Sequence, residues 1–286
     1  MRRLTARLST RRRSRFAAPV VLLLALLVTG GAYALFSPAN ADSSTSSSAE
    51  VAKGRQLFLV GCATCHGQNG EGITTKDGGQ YGPPLVGVGA AAVDFQVGTG
   101  RMPLAAPGQQ APVKTPVYTE DEIRALAAYV ASLGPGPAIP SPDQYDPSQI
   151  PASDRQAAIE RGGEFFRTNC TACHNFAGAG GALPGGKYAP SLAGVPPRHI
   201  YEALLTGPQQ MPVFDDDVIT PSDKRDIIAY LQSIENAPAY GGAKLGSVGP
   251  VSEGMFAWIV GIGTLVGFAI WIASSTARSA RKGAQQ

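Results

Sequence analysis

Two five-residue motifs constrain this chain more than any other feature of its sequence. They read C-A-T-C-H at residues 62–66 and C-T-A-C-H at residues 170–174, and both fit the C-x-x-C-H pattern of c-type haem attachment. The two thiols of each motif lie one helical turn apart, so they can form thioether bonds to both vinyl groups of one porphyrin. The adjacent histidine can then ligate the iron. We therefore expect two covalent haems c on Cys62, Cys65, Cys170 and Cys173, with His66 and His174 as proximal ligands.

Other uses of paired cysteines fit the sequence less well. A thioredoxin-like redox site normally accompanies a βαβ pattern, and no strand-rich pattern precedes either motif. A zinc site made of two C-x-x-C pairs usually has about 15–20 residues between them, whereas Cys65 and Cys170 are 105 positions apart. Two local disulfides would leave His66 and His174 without a role.

The chain contains an internal repeat with an offset of 108 residues. Amphipathic helices are predicted to lead into the motifs over residues 51–59 and 159–166. The offset is 109 at Met102 and Met211 but 101 at Tyr129 and Tyr230, so the first copy has a loop eight residues longer between these points. We place the extra residues in the Ala-, Pro- and Gln-rich stretch 105–116. Equivalent residues are Gly54 and Gly162, Phe58 and Phe166, and Tyr129 and Tyr230.

Each copy is predicted to close with a capped helix. Thr119 and Glu122 have the spacing of a capping box in the first copy. In the second copy Thr220 is the predicted N-cap and Pro221 takes the first helical position. Buried apolar residues are expected at helical spacing: Ile123, Leu126, Ala127 and Val130 in the first copy, and Ile227, Ile228 and Leu231 in the second.

Two of the four methionines occupy equivalent places in the copies. Met102 and Met211 lie 36 and 37 residues beyond His66 and His174, and a proline follows each. Thioether sulfur is a suitable sixth ligand for haem iron, and His/Met ligation raises its potential. A lone Met more often fills a gap in a core, but the repetition favours axial ligation. His199 is an alternative ligand for the second iron; since it has no counterpart, we interpret it as a solvated or hydrogen-bonded surface residue.

Both ends of the chain carry an apolar segment beside a basic tail. Seven arginines precede an uncharged run that begins at residue 16, and a second uncharged run precedes three basic residues near the end. About 20 apolar residues span a bilayer, and positive flanks stay in the cytoplasm. We expect transmembrane helices over 16–36 and 254–274, cytoplasmic tails over 1–15 and 275–286, and the rest on the outer face of the plasma membrane. Alternatively, the motif at 39–41 ends a cleaved signal peptide.

The middle of the chain is predicted to hold two domains, at residues 50–133 and 153–236. A Ser-rich tether at 37–49 precedes them, and a connector at 237–253 follows them. The Pro-rich residues 134–152 show no helical period, so we interpret them as a semi-stiff spacer.

The two terminal tails and the middle part of the chain also differ in charge. The two tails hold ten of the 24 Lys and Arg, which leaves 14 against 21 Asp and Glu in the rest of the chain. This acidic middle part excludes nucleic acid as a partner. The run Asp215, Asp216 and Asp217 is either a docking patch for a basic surface or an ordinary solvated loop.

Both copies resemble class I cytochromes c, which are all-α domains. In that family a Gly-Pro-x-Leu segment offers its proline carbonyl to the proximal histidine. Pro83 and Pro190 match this segment, although Ala189 replaces the glycine in the second copy. Two such domains between two membrane segments are similar, over essentially the whole chain, to the dihaem cytochrome c subunit of the actinobacterial cytochrome bc1 complex.

This resemblance implies an electron-transfer subunit of a menaquinol–cytochrome c reductase. It implies assembly with a cytochrome b subunit, electron uptake from the Rieske iron–sulfur subunit, and delivery to a haem–copper oxidase. Iron with both axial positions occupied has no open site, so no catalytic residue is predicted in the chain itself. The alternatives are a dihaem subunit of another terminal oxidase and a dihaem peroxidase, in which one iron lacks its methionine.

Overall fold

The computed structural model describes residues 17–36, 47–106, 108–237 and 250–283. These residues form mostly helices, with two short antiparallel hairpins. The predicted N-terminal tail and signal-peptidase motif lie outside the described residues, as do most of the tether and most of the connector.

Apolar helices are present near both ends of the chain. Helix α1 (Ala17–Phe36) contains a 14-residue apolar stretch, Ala18–Gly31, and the predicted N-terminal span remains a prediction. The C-terminal helix is longer, running from Pro250 to Gly283. Its stretch Gly254–Ser275 is, within the described part of the chain, the one long and apolar enough to cross a membrane.

The first domain is built on two crossing helices that follow from the predicted caps and apolar positions. Thr119 N donates to Glu122 Oε2 over 2.9 Å, which confirms the capping box. The predicted apolar residues of the closing helix are buried around Phe58. In chain order the elements are α2 (Ser48–Gly61), α3 (Ala63–His66), β1 (Ile73–Thr74), β2 (Gln80–Gly82), α4 (Gly89–Gly98) and α5 (Glu120–Ser132).

The second domain repeats this arrangement. Thr220 caps the closing helix by accepting from Asp223 N over 3.3 Å, with Pro221 in the first turn as predicted. Its elements are α6 (Arg155–Asn169), α7 (Thr171–His174), β3 (Gly181–Leu183), a 3-10 turn (Pro184–Gly186), β4 (Lys187–Ala189), α8 (Pro197–Thr206) and α9 (Pro221–Glu235). The C-terminal membrane-length helix is α10 (Pro250–Gly283).

A glycine permits the helix crossing in each domain. A Cβ at Gly54 would lie 1.8 Å from Ala125 O, and one at Gly162 would lie 1.9 Å from Asp226 O. Either methyl group would overlap the backbone of the closing helix. Equivalent ring pairs flank the crossings, Phe58 with Tyr129 at 5.1 Å between centroids and Phe166 with Tyr230 at 5.6 Å. These shared contacts confirm the repeat read from the sequence.

The segment between the domains differs from the predicted spacer. Residues 134–152 contain a helical turn at Pro142–Tyr145 and a 3-10 turn at Pro147–Gln149. They contact both domains, because Ala91 N donates to Pro137 O (3.1 Å) and Arg225 Nη1 donates to Asp143 O (2.5 Å). The sequence did not reveal these turns, since single turns held by local caps are too short to show a helical period.

The two domains meet through equivalent helices. Helix α4 of the first domain packs against α8 of the second. Arg198 on α8 lies with its Nε 3.0 Å from Asp94 Oδ2 on α4, and the Asp94 side chain is 2% exposed. The interface therefore buries charge as well as apolar surface.

Candidate haem-binding sites

The first motif presents His66 in a defined tautomer. Helix α2 ends at Cys62, and the short helix α3 carries Cys65 and His66. The His66 Nδ1 lies 2.7 Å from Pro83 O. Because a carbonyl oxygen only accepts, Nδ1 carries the proton and Nε2 keeps its lone pair. A histidine held this way is oriented to bind a metal through Nε2.

The second motif has the same geometry. His174 Nδ1 donates to Pro190 O over 3.0 Å. Burial lowers the pKa of His174, while the bond to Pro190 acts in the opposite direction. The neutral imidazole is the form that ligates a metal. The carbonyl contacts expected from the resemblance to class I cytochromes c are thus present in both copies.

The cysteines do not have the properties of a redox-active pair. All four are free thiols. Burial raises the pKa of Cys62 and of Cys170 to about 11, with the second cysteine of each motif adding to the effect. A reactive thioredoxin-like cysteine needs a lowered pKa instead. Within the described residues, no group of three or more metal-binding side chains includes any of these thiols, which argues equally against a zinc site.

The second motif opens on a cavity of about 630 Å³. Cofactor clefts typically measure about 300–1,000 Å³ and are lined mainly by apolar side chains. Apolar residues such as Phe166, Ile200 and Leu231 line this one. The structure also brings the sequence-predicted residues of the second site together in its walls, namely Cys170, Cys173, His174, Pro190 and Met211. Two thiols, an imidazole with a free Nε2 and a thioether form a donor set that fits a haem c.

Two candidate ligands of the first site pack against one apolar core. Cys62 and Met102 both pack against the cluster that contains Phe58 and Leu126. Met102 follows α4, and its N–H donates to Gln96 O over 2.9 Å. Met102 and Met211 are both half-buried. Each domain thus holds its candidate methionine against the core that its cysteine helix also contacts.

His199 is not the surface residue that the sequence suggested. It is 7% exposed, and its Nδ1 lies 2.8 Å from Glu202 Oε2. Burial lowers its pKa, and nearby Asp94 acts against that shift. The surface interpretation was wrong because α8 is covered by α4 of the other domain, a contact that a single-copy helical pattern does not show. His199 also lines the second cavity.

The aspartate run has a structural role in two of its three members. Asp216 Oδ1 accepts from the fully buried Lys224 Nζ over 2.6 Å. Asp215 Oδ1 accepts from Val218 N over 3.0 Å. Among the described residues, the Asp217 carboxylate makes neither the contact with Lys224 nor the contact with Val218. The structure therefore favours a capped loop over a docking patch.

Comparisons with known proteins agree with this geometry. Residues 51–134 match the family model Cytochrome c, and residues 157–231 match Cytochrome C oxidase, cbb3-type, subunit III. A Mycobacterium tuberculosis protein named cytochrome bc1 complex cytochrome c subunit is 44% identical over 271 residues, 94% of either chain. The protein of that name from Corynebacterium diphtheriae is 46% identical over 233 residues, 78% of this chain and 80% of its own. The chain belongs to the family of cytochrome bc1 complex cytochrome c subunits.

A shorter likeness links this chain to an oxidase protein. The cbb3-type cytochrome c oxidase subunit FixP of Sinorhizobium medicae is 30% identical over 96 residues, 30% of this chain and 33% of its own. The likeness extends over about one cytochrome c domain. The predicted fold of two tandem cytochrome c domains is therefore confirmed, and the chain is an electron-transfer cytochrome.

Sequence reasoning missed the polar residues between the domains. Asp94 and Glu202 are buried where α4 meets α8, and a ligand atom of each lies within 4.8 Å of the other. One signal was available, since the two acids stand at the repeat offset of 108 in largely apolar helices. Gln110 and Gln209, which form bonds between the domains, carry no such signal because glutamine is ordinary in surface loops.

Proposed function

We propose that this chain is the membrane-anchored dihaem subunit of a menaquinol–cytochrome c reductase. In this role it relays electrons from the Rieske iron–sulfur subunit, through two haems c, to a haem–copper terminal oxidase. Haem c supplies a one-electron iron couple when bound. The residues that would hold the first haem are Cys62, Cys65, His66 and Met102, and those for the second are Cys170, Cys173, His174 and Met211.

The protein's own groups support a relay rather than catalysis on a substrate. The Pro83 and Pro190 carbonyls fix the two imidazoles and increase their donor strength towards a metal. A thioether on the opposite side would leave no open coordination position. The donor sets are therefore suited to hold iron through repeated redox cycles without binding a substrate.

One observation carries the proposal. The second cleft collects two thiols, an imidazole whose Nδ1 contacts Pro190 O, and a thioether within one largely apolar cavity. The equivalent imidazole of the first copy makes the same carbonyl contact. No sequence motif by itself requires this convergence of residues 170–211.

Placement in the bc1 complex rests on the relatives. The proteins named for that complex match this chain over as much as 94% of its length, including both domains, whereas the FixP likeness covers 30% of it. A dihaem subunit of another oxidase is accordingly the second candidate. We further propose a cytochrome b subunit among the partners and no nucleic acid.

The apolar helices supply the proposed anchor. Helix α10 contains a stretch of 22 residues suited to a span, Gly254–Ser275, and basic residues follow that stretch in the sequence. Together with α1, this favours two spans, both termini in the cytoplasm and both haem domains on the outer face. The acidic middle part of the chain would then face outward.

Purification through a tag on this chain tests the proposal. Two covalent haems per chain, on peptides containing residues 62–66 and 170–174, are expected, with a cytochrome b and a Rieske subunit co-purifying. The preparation should couple menaquinol oxidation to oxygen reduction. One haem per chain, or haem extractable by acid acetone, would contradict the haem assignment. Recovery with oxidase subunits but no cytochrome b would favour the second candidate.

A further inference from the structure

The wall of the second cleft is not made by the second domain alone. Residues of the first domain also line it, among them Phe95, Gly98, Arg101, Gln110 and Lys114. Several belong to residues 108–116, the part of the longer first-copy loop that we call the strap. The length difference between the copies thus falls where one domain closes the cleft of the other.

Two glutamine side chains join the strap to the second domain. Gln110 Nε2 donates to Tyr188 O over 2.6 Å, and Tyr188 N donates to Gln110 Oε1 over 3.0 Å. From the other side, Gln209 Nε2 donates to Ala111 O over 3.2 Å. Ala111 N in turn donates to Gln209 Oε1 over 3.3 Å. Each amide therefore pairs with both polar groups of one backbone residue, as a neighbouring strand would.

These bonds lie next to two parts of the second cleft, the side that carries His174 and the side that carries Met211. Tyr188 lies in β4, two residues before Pro190, whose carbonyl holds His174. Gln209 lies two residues before Met211, which also lines the cleft. One short segment of the first domain consequently ties the histidine side of the cleft to the methionine side.

The same wall is continuous with the first site. Gly98, Thr99 and Arg101 line the second cleft, and the next residue is Met102, the proposed ligand of the first iron. Arg101 is held over the Phe95 ring, with its guanidinium carbon 4.6 Å from the ring centroid. Lys114 N of the strap donates to Thr99 O over 3.3 Å, so movement of the strap would also displace the segment that leads to Met102.

We propose that the strap is a component of the second haem site, which it closes against water and whose two walls it holds in register. This inference rests on the proposed function, because it assigns a role to residues around that haem. Solvent exposure is one of the properties that set a haem's potential. Water near the iron stabilises the more highly charged ferric form, so a closed strap keeps the potential of the second haem raised.

Single-residue variants of the purified complex test the strap. Gln110→Ala removes both bonds to Tyr188, and the matched control is Gln109→Ala, an exposed neighbour. The Gln110 variant should lower the midpoint potential of the second haem only and speed cyanide binding to its ferric form. The control should match the unaltered complex.

The outcomes distinguish failure of the role proposed for the strap from failure of the proposed function. Equal potentials and equal cyanide rates in the Gln110→Ala and Gln109→Ala complexes would overturn the role of the strap. Loss of the second haem alone in Gln110→Ala would support it, since the site would then fail to form without the strap. If the unaltered complex has no haem on residues 170–174, the proposed function itself fails, whatever the variants show.

Discussion

Asp94 and Glu202 occupy equivalent positions in the two copies and face each other across the interface between the domains. Their side chains are at most 2% exposed; Asp94 Oδ2 is paired with Arg198 Nε, whereas Glu202 Oε1 has no hydrogen-bond partner among the described residues. A carboxylate oxygen of Asp94 lies within 4.8 Å of one of Glu202, and two negative charges so close together are unfavourable in a buried site. We therefore expect the two carboxyls to share a proton, with the cation of Arg198 beside Asp94.

Removal of that cation should weaken the protein. Arg198→Ala would leave Asp94 buried without its ion pair, and we expect a loss of about 2–3 kcal/mol, below the value for a fully buried pair because Arg198 is 32% exposed. The matched variant is Arg124→Ala, whose pair with Asp121 is exposed on both sides; it should cost under about 1 kcal/mol. Denaturant unfolding followed by haem absorbance measures both. Equal losses would mean that the interface does not depend on Arg198.

Protonation of Glu202 should make stability pH-dependent. Burial, followed by the hydrogen bond and charge of Asp94, raises the pKa of Glu202 to about 10 from its ordinary 4.5, against the opposing effect of Arg198. The folded chain keeps a proton that the unfolded chain releases, so the free energy of unfolding decreases as pH rises from about 4.5 to about 10.

Glu202→Gln should remove this dependence and raise the unfolding midpoint most at alkaline pH. His199 and Glu120 also face the cluster, so part of the pH dependence should persist. Unfolding midpoints at pH 6 and pH 9 provide the measurement, with the exposed Glu164→Gln as control. A pH profile that is the same in both variants would refute the shared proton.

Substitution of the glycines at the two helix crossings should produce equivalent defects, one in each domain. Gly54→Ala should force α2 away from α5 and disturb the first site, whereas Gly162→Ala should do the same to α6, α9 and the second site. Overpacking usually costs about 1–3 kcal/mol, and overlap with a main-chain oxygen should place these variants at the upper end. Resolved haem spectra of the purified complex are the test. The prediction fails if Gly54→Ala alters the second haem more than the first.

The methionines should each control one potential. Imidazole favours ferric iron more strongly than thioether does, so Met102→His and Met211→His should each lower the potential of a single haem. Each should also remove part of the near-infrared sulfur-to-iron band. Met255→Leu, in the membrane-length helix, is the control and should change neither. If Met211→His leaves the band intact, Met211 is a packing residue, and His199 in the same cleft becomes the candidate ligand.

Features with a local physical cause could be predicted from the sequence. The capping box at Thr119, the proline start of α9 and the helices that lead into the motifs are all determined by a few adjacent residues. The equivalence of Gly54 and Gly162 also appeared as a repeat before the reason for it, a close helix crossing, was known. The candidate donors of the second site were found because each kind of ligand recurs at a similar spacing.

Features that depend on contact between the copies could not be predicted. The sequence pattern indicates a polar residue on an amphipathic helix at His199, and only the packing of α4 on α8 buries it. The turns within 134–152 and the hairpins have too few residues for a periodic signal. The strap looked like extra loop length because hydrogen bonds from a glutamine amide to a distant backbone leave no pattern in the chain.

The acceptor for each proximal histidine is a main-chain oxygen, and this has a consequence for how the protein can vary. No substitution of Pro83 or Pro190 deletes a carbonyl, so the hydrogen bond to the imidazole is protected from most single mutations. Only a shift of the backbone can change it. Evolutionary adjustment of the two haem potentials should therefore concentrate on the surroundings of Met102 and Met211 and on the closure of the cleft, because side chains determine both.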